Sequence, residues 1–470
     1  MNKKKLSTTA LAMIIFIAVF GFGNIANNYK EVGINSAVTF VLVALVYFLP
    51  MSLIMAEFGS YAKDRTAGIY SWIEIGMGKK VAYIAIWSYF VANIFYLPTL
   101  ATRVPTYLSF VVYGDANIGN TAMALLAAIT MIIAVIIGIK YEKAFEKVST
   151  FIGYLSLFVA FIFIAAGFYV YLFGNPSTII TANSFSLDFS NKAGLSSFLS
   201  TFAWIIFAFG GSELCGTYVD KIDNPEKNFS KGILLSSAII AVFYVAGILA
   251  ISAFGTVEEF SQVSLINAVL SGYKFMGDKL AFGIWFIRFI ALSYVLITLV
   301  ALVLWSVALS KAVFSEVPED TFPHWLTSKN KFGVLQNALI FQTFLGLVFI
   351  AITTLGGDAA EELYFKIYDM STMAFIIPYF FLALSYIHFR KAGHVSSFQL
   401  VKNEKLGIFI GAFLVLLVFV SLIFSGIDIS KTLSEQMDTI KLYYGGLIMF
   451  LSVGFLVKFL NNKSCKCSKN

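Results

Sequence analysis

Long apolar runs alternate with short polar loops along the whole chain. Most of these runs have about 20 residues or more, the length that an α-helix needs to cross the hydrocarbon core of a bilayer. A membrane β-barrel would show short alternating segments instead. The pattern predicts an all-α polytopic membrane protein with twelve transmembrane helices, numbered helix 1 to helix 12 in chain order. The predicted spans are Leu6–Tyr29, Ala37–Phe58, Val81–Tyr113, Thr121–Ile139, Val148–Phe173, Leu195–Val219, Gly232–Phe254, Lys279–Val313, Asn337–Leu355, Leu363–Phe389, Leu406–Phe424 and Ile440–Leu460.

Composition agrees with a membrane protein. Of the 470 residues, 59% are hydrophobic and 13% are charged, and the mean hydropathy is +0.84. A soluble domain has about 25% charged residues, so this apolar surface exceeds what one soluble core can bury. The first apolar run follows Lys3–Lys5 and could imitate a signal peptide. Because no small-residue cleavage site follows the run, it is assigned as helix 1.

Basic residues indicate the orientation in the membrane, since cytoplasmic loops carry an excess of lysine and arginine. Most basic residues fall in the loops on the side of the N-terminus. The opposite loops hold only Lys30, Lys192, Lys274, Lys279, Lys431 and Lys441. Both termini are therefore predicted to be cytoplasmic, with the chain crossing the lipid bilayer of the cell membrane. The net charge of +7 is spread over many loops and not gathered in a patch, so no nucleic-acid partner is predicted.

Sequence motifs of an enzyme or of a cofactor site are not visible. The three histidines do not pair with an acidic cluster, and the chain is predicted to have no catalytic residues, no metal and no cofactor. Cys465 and Cys467 lie one residue apart in the tail and could bind a metal or be acylated. A zinc site needs four ligands, so an inert tail is the favoured interpretation.

Two apolar runs are interrupted by glycines and polar residues. The first interruption is FGFGNIANNY (Phe20–Tyr29) in helix 1, and the second is WIIFAFGGSELCGTY (Trp204–Tyr218) in helix 6. Interrupted helices in corresponding positions of two halves indicate a transporter binding site. Their spacing predicts two five-helix repeats of inverted topology, residues 1–193 and 194–392. Residues 393–470 would then form two accessory helices and a short tail.

The chemistry of such breaks suits an amino acid. Unwound backbone is tolerated in a membrane only beside a protein-lined cavity. A half-helix that begins near Asn24 would direct its N–H groups and positive dipole end at a carboxylate. A half-helix that ends near Phe209 would offer carbonyls to an ammonium group. The alternative is that these glycines only ease helix packing, and the matching positions of the two breaks favour a binding site.

Two longer segments resemble a known family. They are MAEFGSYAKDRTAGIYSWIEIGMGKK (Met55–Lys80) and FAFGGSELCGTYVDKIDNPEKNFSKGI (Phe207–Ile233). With them, essentially the whole chain resembles the amino acid–polyamine–organocation superfamily of transporters, and most of all its glutamate/γ-aminobutyrate antiporter group. The resemblance implies a leucine-transporter-like 5+5 inverted repeat with broken helices 1 and 6. It also implies that the amphipathic segment Val257–Gly277 is an external lid.

The chain departs from that family in two places. Many members have Gly-Ser-Gly in helix 1, whereas this chain has Phe22 between its two glycines. Some proton-driven members carry a lysine in helix 5, whereas Val148–Val170 holds no charged residue. The second departure favours exchange, or another coupling route, over a lysine-based proton symport.

The candidate site residues flank the two breaks or face them from other helices. The predicted substrate-binding residues are Gly21, Phe22, Gly23, Asn24, Asn93, Tyr96, Phe207, Phe209, Gly210, Gly211 and Ser293. The predicted gating or coupling residues are Trp204, Glu213, Arg103 and Arg288. Ionisable residues inside a membrane are costly and usually functional, so the two arginines predict a cationic vestibule. The alternative is that each arginine extends outward to the interface or caps helix carbonyls.

The function predicted from these features is secondary active transport of amino acids or close derivatives by alternating access. An exchanger of neutral or acidic substrates is favoured, and the first alternative is a proton-coupled uptake symporter. A nutrient sensor should carry an appended cytoplasmic domain, and only short termini flank the spans. The oligomeric state is expected to be monomer or homodimer. Glu57 is expected to be a structural anchor, and Lys366 and Asp369 a structural or gating pair.

Overall fold

A computed structural model describes residues 5–116, 118–187, 189–263, 267–318, 321–355 and 357–467, without the side chains of 142–144, 353–369 and 462–467. The described chain is helical apart from its loops and one parallel bridge between Leu6 and Ile222. The α-helices are α1 (Thr8–Val19), α2 (Phe22–Val32), α3 (Asn35–Val43), α4 (Leu49–Tyr61), α5 (Ile69–Val112), α6 (Asn120–Lys140), α7 (Glu142–Phe173), α8 (Lys192–Ala208), α9 (Pro225–Ile251), α10 (Val257–Ser261), α11 (Ala268–Lys279), α12 (Ile284–Phe314), α13 (His324–Thr327), α14 (Gln336–Leu355), α15 (Gly357–Lys391), α16 (Glu404–Phe424) and α17 (Met437–Cys467).

The all-α membrane class is confirmed. Within the described residues, ten helices are long and apolar enough to cross a membrane, or eleven when the bent pair α1–α2 counts as one span. A shorter apolar helix, Gln336–Ile352, coincides with predicted helix 9. Every predicted span overlaps a helix of the structure, and the count of twelve stays a prediction. The expected pair Lys366 and Asp369, like Cys465 and Cys467, lies outside the described side chains.

Helix α5 forms the centre of the bundle, where it packs against α12 and α15. Its first nine residues are set off from the rest by Gly78, whose φ of +78° favours glycine. Beyond this kink, Tyr89, Asn93, Tyr96 and Arg103 follow one another at steps of four, three and seven residues. Such steps place side chains on one face of a helix, so α5 presents a polar stripe to the interior.

Predicted helix 2 is built from α3, a five-residue π-helix (Ala44–Phe48) and α4. Pro50 at the start of α4 has no N–H to donate to the carbonyl of Val46, which disturbs regular α-helical hydrogen bonding there. At the end of the π segment, the ring of Phe48 stacks on Phe209 with centroids 4.3 Å apart. The irregular turn thus brings helix 2 against the break in helix 6.

The contacts of Glu57 agree with its expected role as an anchor. Its side chain is fully buried and accepts hydrogen bonds from Arg390 (2.7 Å), the Tyr386 hydroxyl (2.9 Å) and the Leu400 N–H (2.8 Å). The pairing matters because a buried charge without partners would be strongly destabilising. Glu57 therefore joins the end of α4 to the end of α15 and to the loop that follows it.

Candidate functional site

The first break separates α1 from α2, whose axes are bent by 42°. Helix α1 ends at Val19, and α2 begins at Phe22, two residues earlier than expected from the sequence. Gly21 between them is extended, and its carbonyl accepts the N–H of Asn24 at 2.9 Å. The N–H groups of the first turn of a helix have no intrahelical acceptor, so this end of α2 offers donors at the break.

The second break lies between α8 and a 3₁₀ helix, Ser212–Lys221. Helix α8 ends at Ala208, and Gly211 has a φ of +116°, a conformation that only glycine adopts without strain. A Cβ atom on Gly211 would lie 2.9 Å from the carbonyl oxygen of Ala18. The backbone of the second break therefore touches the end of α1 so closely that no side chain fits there.

The two breaks border one cavity of about 390 Å³. The predicted site residues that line it are Gly21, Phe22, Gly23, Asn24, Asn93, Tyr96, Arg103, Trp204, Phe207 and Gly210. Asn120, the first residue of α6, and Val269 of α11 line it as well. Helix α5 begins on the side of the bundle where the N-terminus lies and ends near the start of α6. Because Asn120 at the start of α6 lines the cavity, the cavity extends toward the side of the bundle opposite the N-terminus.

Asn93 presents a hydrogen-bond acceptor at the cavity. Its Nδ2 donates to the carbonyl of Tyr89 at 2.8 Å, which fixes the orientation of the amide, since the reverse would oppose two oxygens. The Oδ1 atom is buried and has no partner among the described residues. An unpaired buried acceptor is costly, and because this atom is covered by protein, a bound molecule would reach it only after a local rearrangement.

Aromatic rings form much of the cavity wall. Trp204 and Phe207 lie 5.8 Å apart, and Phe207 meets Phe375 edge to face at 5.3 Å. Tyr96 packs edge to face against Trp305 at 5.3 Å. The cavity wall thus combines aromatic rings with a set of polar side chains, a composition that suits a small-molecule site.

Phe22, which replaces the expected small residue of helix 1, is held by its own aromatic cluster. Its ring lies 4.6 Å from that of Phe163 in α7 and 4.9 Å from that of Tyr273 in α11. The predicted lid segment is two helices in the described chain, α10 and α11, and not one. Phe22 therefore connects the first break to the second of these helices.

Five predicted residues lie outside the cavity lining: Gly211 and Glu213 belong to the second break, and the other three have contacts of other kinds. Phe209 packs between Phe48 and Tyr244, and the Ser293 hydroxyl donates to the Phe289 carbonyl of its own helix at 2.9 Å. The Arg288 guanidinium donates to the Val112 carbonyl at 3.0 Å and lies over the ring of Trp285. Arg288 thus caps the last turn of α5, which is the alternative raised from the sequence.

Glu213 lies beneath the cavity, on the N-terminal side of the second break. Its buried carboxylate accepts the Tyr89 hydroxyl at 2.9 Å, the Gly211 N–H at 2.9 Å and the Tyr379 hydroxyl. Tyr89 belongs to α5 and Tyr379 to α15, so one carboxylate joins three elements. Neither tyrosine was predicted, because nothing in the local sequence distinguishes them from the other tyrosines of the chain.

Ion pairs close the bundle further toward the N-terminal side. Glu316, just after α12, accepts Arg65 Nε and the Ser71 hydroxyl at 2.7 Å each, and also the Thr66 N–H. Burial would raise the pKa of Glu316, but these hydrogen bonds and the arginine charge hold it below its usual value. The carboxylate is therefore ionised at neutral pH, and the pair is lost only as the pH falls through this lowered pKa. Glu213 and this ion pair thus join elements on the N-terminal side of the second break.

Comparisons with known proteins agree with this geometry. A family model described as amino acid permease matches residues 6–456. The inner membrane transporter YjeM of Escherichia coli K12 is 28% identical over 415 residues, which cover 82% of each chain. The aspartate/glutamate permease AcaP of Lactococcus lactis subsp. cremoris is 24% identical, covering 88% of this chain and 86% of AcaP.

Two further similarities concern mechanism and fold. The glutamate/gamma-aminobutyrate antiporter of Lactococcus lactis subsp. lactis is 22% identical over 82% of this chain and 76% of its own. The crystal structure of MhsT in complex with L-phenylalanine superimposes with a TM-score of 0.62 at 15% identity, covering 90% of this chain and all of that one. The fold is therefore that of the leucine-transporter-like proteins. The chain is a member of the amino acid permease family, within the amino acid–polyamine–organocation superfamily.

Proposed function

We propose that this protein is a secondary active transporter that exchanges amino acids or close derivatives across the cell membrane. The observation that carries the proposal is the single cavity bordered by both helix breaks. The N–H end of α2 offers a place for a carboxylate, and the unwound backbone of the second break, at Phe209 and Gly210, offers carbonyls to an ammonium group. An α-amino acid carries both groups on one carbon atom and would span the two ends.

The distribution of contacts supports alternating access. We propose that this conformation opens the cavity toward the side opposite the N-terminus, which the basic loops predict to be the outside. Glu213 with its two tyrosines, and Glu316 with Arg65, would have to separate before the substrate could leave toward the cytoplasm. The inverted repeats 1–193 and 194–392 would supply the two halves that move relative to each other.

Exchange is favoured over proton symport by the absence of charge along Val148–Val170 and by the similarity to an antiporter. In proteoliposomes, uptake of a labelled amino acid is expected to be strongly stimulated by unlabelled amino acid inside and to need no sodium. Vesicles preloaded with a panel of amino acids, with and without a pH gradient, would test this. If empty vesicles accumulate substrate equally well under a proton gradient alone, the symport alternative is correct. Absence of uptake for every amino acid would contradict transport and favour a sensor.

The preference of the transporter for substrates of a given charge should depend on Arg103. This arginine lines the cavity, and low-dielectric walls focus the field of such a charge. We therefore propose neutral or acidic amino acids as substrates, in line with a relative named for aspartate and glutamate. Arg103→Ala is expected to weaken binding of an acidic substrate about tenfold or more, with a smaller loss for a neutral one. Competition of uptake by glutamate, a neutral amino acid and ornithine would measure both effects.

A matched control is available at the other arginine. Arg288 contacts Val112 and Trp285 outside the cavity lining, so Arg288→Ala should leave the order of the three competitors unchanged. Tightest binding of ornithine to the unmodified protein would contradict the proposed charge preference. An equal loss for all three competitors in Arg103→Ala would mark that arginine as structural.

A further inference from the structure

The side chain of Tyr244 in α9 connects the two breaks beneath the cavity surface. Its hydroxyl accepts the Gly21 N–H at 3.1 Å and the Asn24 Nδ2 at 3.0 Å. The same oxygen lies 2.8 Å from the carbonyl oxygen of Val19 and 3.2 Å from that of Ala208. Four polar groups from both interrupted helices therefore meet at one buried hydroxyl.

The hydrogen-bonding capacity of a tyrosine hydroxyl matches these partners. The hydroxyl can accept from the N–H groups of Gly21 and Asn24 and can donate its single proton to a carbonyl. Val19 and Ala208 are the last residues of α1 and α8, so their carbonyls belong to helix ends that lack intrahelical partners. The proton is shared between them, with the shorter distance to Val19.

The ring of Tyr244 is fixed independently of the hydroxyl. It stacks on Phe40 with centroids 4.9 Å apart and lies 5.1 Å from Phe20 and 5.3 Å from Phe209. Such packing holds a side chain in one rotamer and excludes water from its surroundings. Removing only the oxygen would therefore leave the ring in place and the four polar groups without their common partner.

We propose that Tyr244 is a positioning residue. Its hydroxyl holds the two breaks at the distance from each other that substrate binding needs, and this inference rests on the proposed function of the site. In transporters with broken helices, unwound carbonyls and half-helix C-termini can coordinate a coupling cation. Here the hydroxyl occupies the space between two such carbonyl ends. The N–H groups of Gly21 and Asn24 point at the same oxygen and would repel a cation, so no sodium ion binds between these carbonyls.

The test compares Tyr244→Phe with Tyr83→Phe in the full-length protein. Tyr83 is also buried and donates a hydrogen bond at 2.6 Å, but to Gly454 in the contact between α5 and α17. Tyr244→Phe is expected to raise the substrate KM about tenfold with a smaller change in kcat, whereas Tyr83→Phe should leave KM unchanged. An unaltered KM in Tyr244→Phe would overturn the inference, because a merely structural role changes stability and not substrate affinity.

Hydrogen–deuterium exchange supplies a measurement that needs no substrate. Backbone amides at both breaks, Phe20–Asn24 and Phe209–Gly211, should exchange faster in Tyr244→Phe and at the original rate in Tyr83→Phe. Faster exchange at one break only would contradict a connection between the two. If the unmodified protein binds no amino acid, the proposed function fails and this measurement still decides the role of Tyr244. Sodium is expected to leave substrate affinity and exchange at both breaks unchanged, and a sodium effect on either would contradict the exclusion of a cation.

Discussion

Gly210→Leu is expected to lower amino acid uptake about 100-fold or more, because displacement of binding groups by about 1 Å has effects of this size. A Cβ atom at Gly210 would lie 2.2 Å from the ring of Phe375 and 3.1 Å from the carbonyl oxygen of Phe207. The ring would have to move, and the rest of the leucine side chain would enter the space that we propose for the substrate beside the backbone of the second break. Binding and uptake measured on the purified variant would give the size of the loss.

Gly23→Leu tests the same idea at the first break. A Cβ atom there has an ordinary contact of 3.6 Å with Val269, so the added side chain would block the cavity without displacing the backbone. Gly445→Leu is the matched control, since Gly445 lies in α17 with open space around its Cβ position. Normal substrate affinity in both Gly23→Leu and Gly210→Leu would contradict a role for the breaks in binding.

Glu213→Gln is expected to lower the turnover rate about 10- to 100-fold. A change of this size corresponds to the free energy lost when one buried hydrogen-bond donor loses its acceptor. The carboxylate accepts hydrogen bonds from Tyr89, Tyr379 and the Gly211 N–H. A glutamine presents an NH₂ group in place of one acceptor oxygen, so at least one of these three hydrogen bonds weakens. The contact that these residues form between the cavity and the N-terminal side of the bundle weakens as a result. Because Glu213 does not line the cavity, KM should change by a smaller factor than kcat.

A surface carboxylate provides the comparison for this variant. Glu404 is exposed at the start of α16, and Glu404→Gln should transport at the original rate. Steady-state exchange at several substrate concentrations separates KM from kcat for both variants. Unchanged turnover in Glu213→Gln would show that the carboxylate does not participate in gating or coupling.

The fold could be predicted from the sequence because it depends on features that are local in the chain. Apolar runs of membrane length and two glycine-rich interruptions are visible without any knowledge of tertiary contacts. Gly21 and Gly210 line the cavity, since a break in a membrane helix needs a cavity beside it, and their role in substrate binding stays a prediction. The beginning of the second half-helix at Phe22 was missed by two residues, because Phe20 and Gly21, both extended, complete the break before it.

The contacts around the breaks could not be predicted, because they join residues far apart in the chain. Tyr89 and Tyr379 lie 124 and 166 residues from Glu213, and no local pattern distinguishes them from other tyrosines. Ser293 illustrates a different limit. Helix α12 is apolar on all sides, so its sequence does not indicate which face points to the cavity. Arg288 lies near the start of that helix, where it contacts Val112 and Trp285, and the direction of its side chain was not predictable from the sequence.

The buried pair of Glu57 and Arg390 has a consequence for the biogenesis of the protein. The two residues are 333 positions apart, so the ribosome must complete nearly the entire bundle before the pair can form. Until then, Glu57 in α4 lacks its partner Arg390. A buried charge without a partner is strongly unfavourable. Because synthesis proceeds from the N-terminus, stable docking of α4 must wait for the end of α15. The pair thus makes the final packing of an early helix conditional on the arrival of a late one, and it favours the complete chain over truncated products.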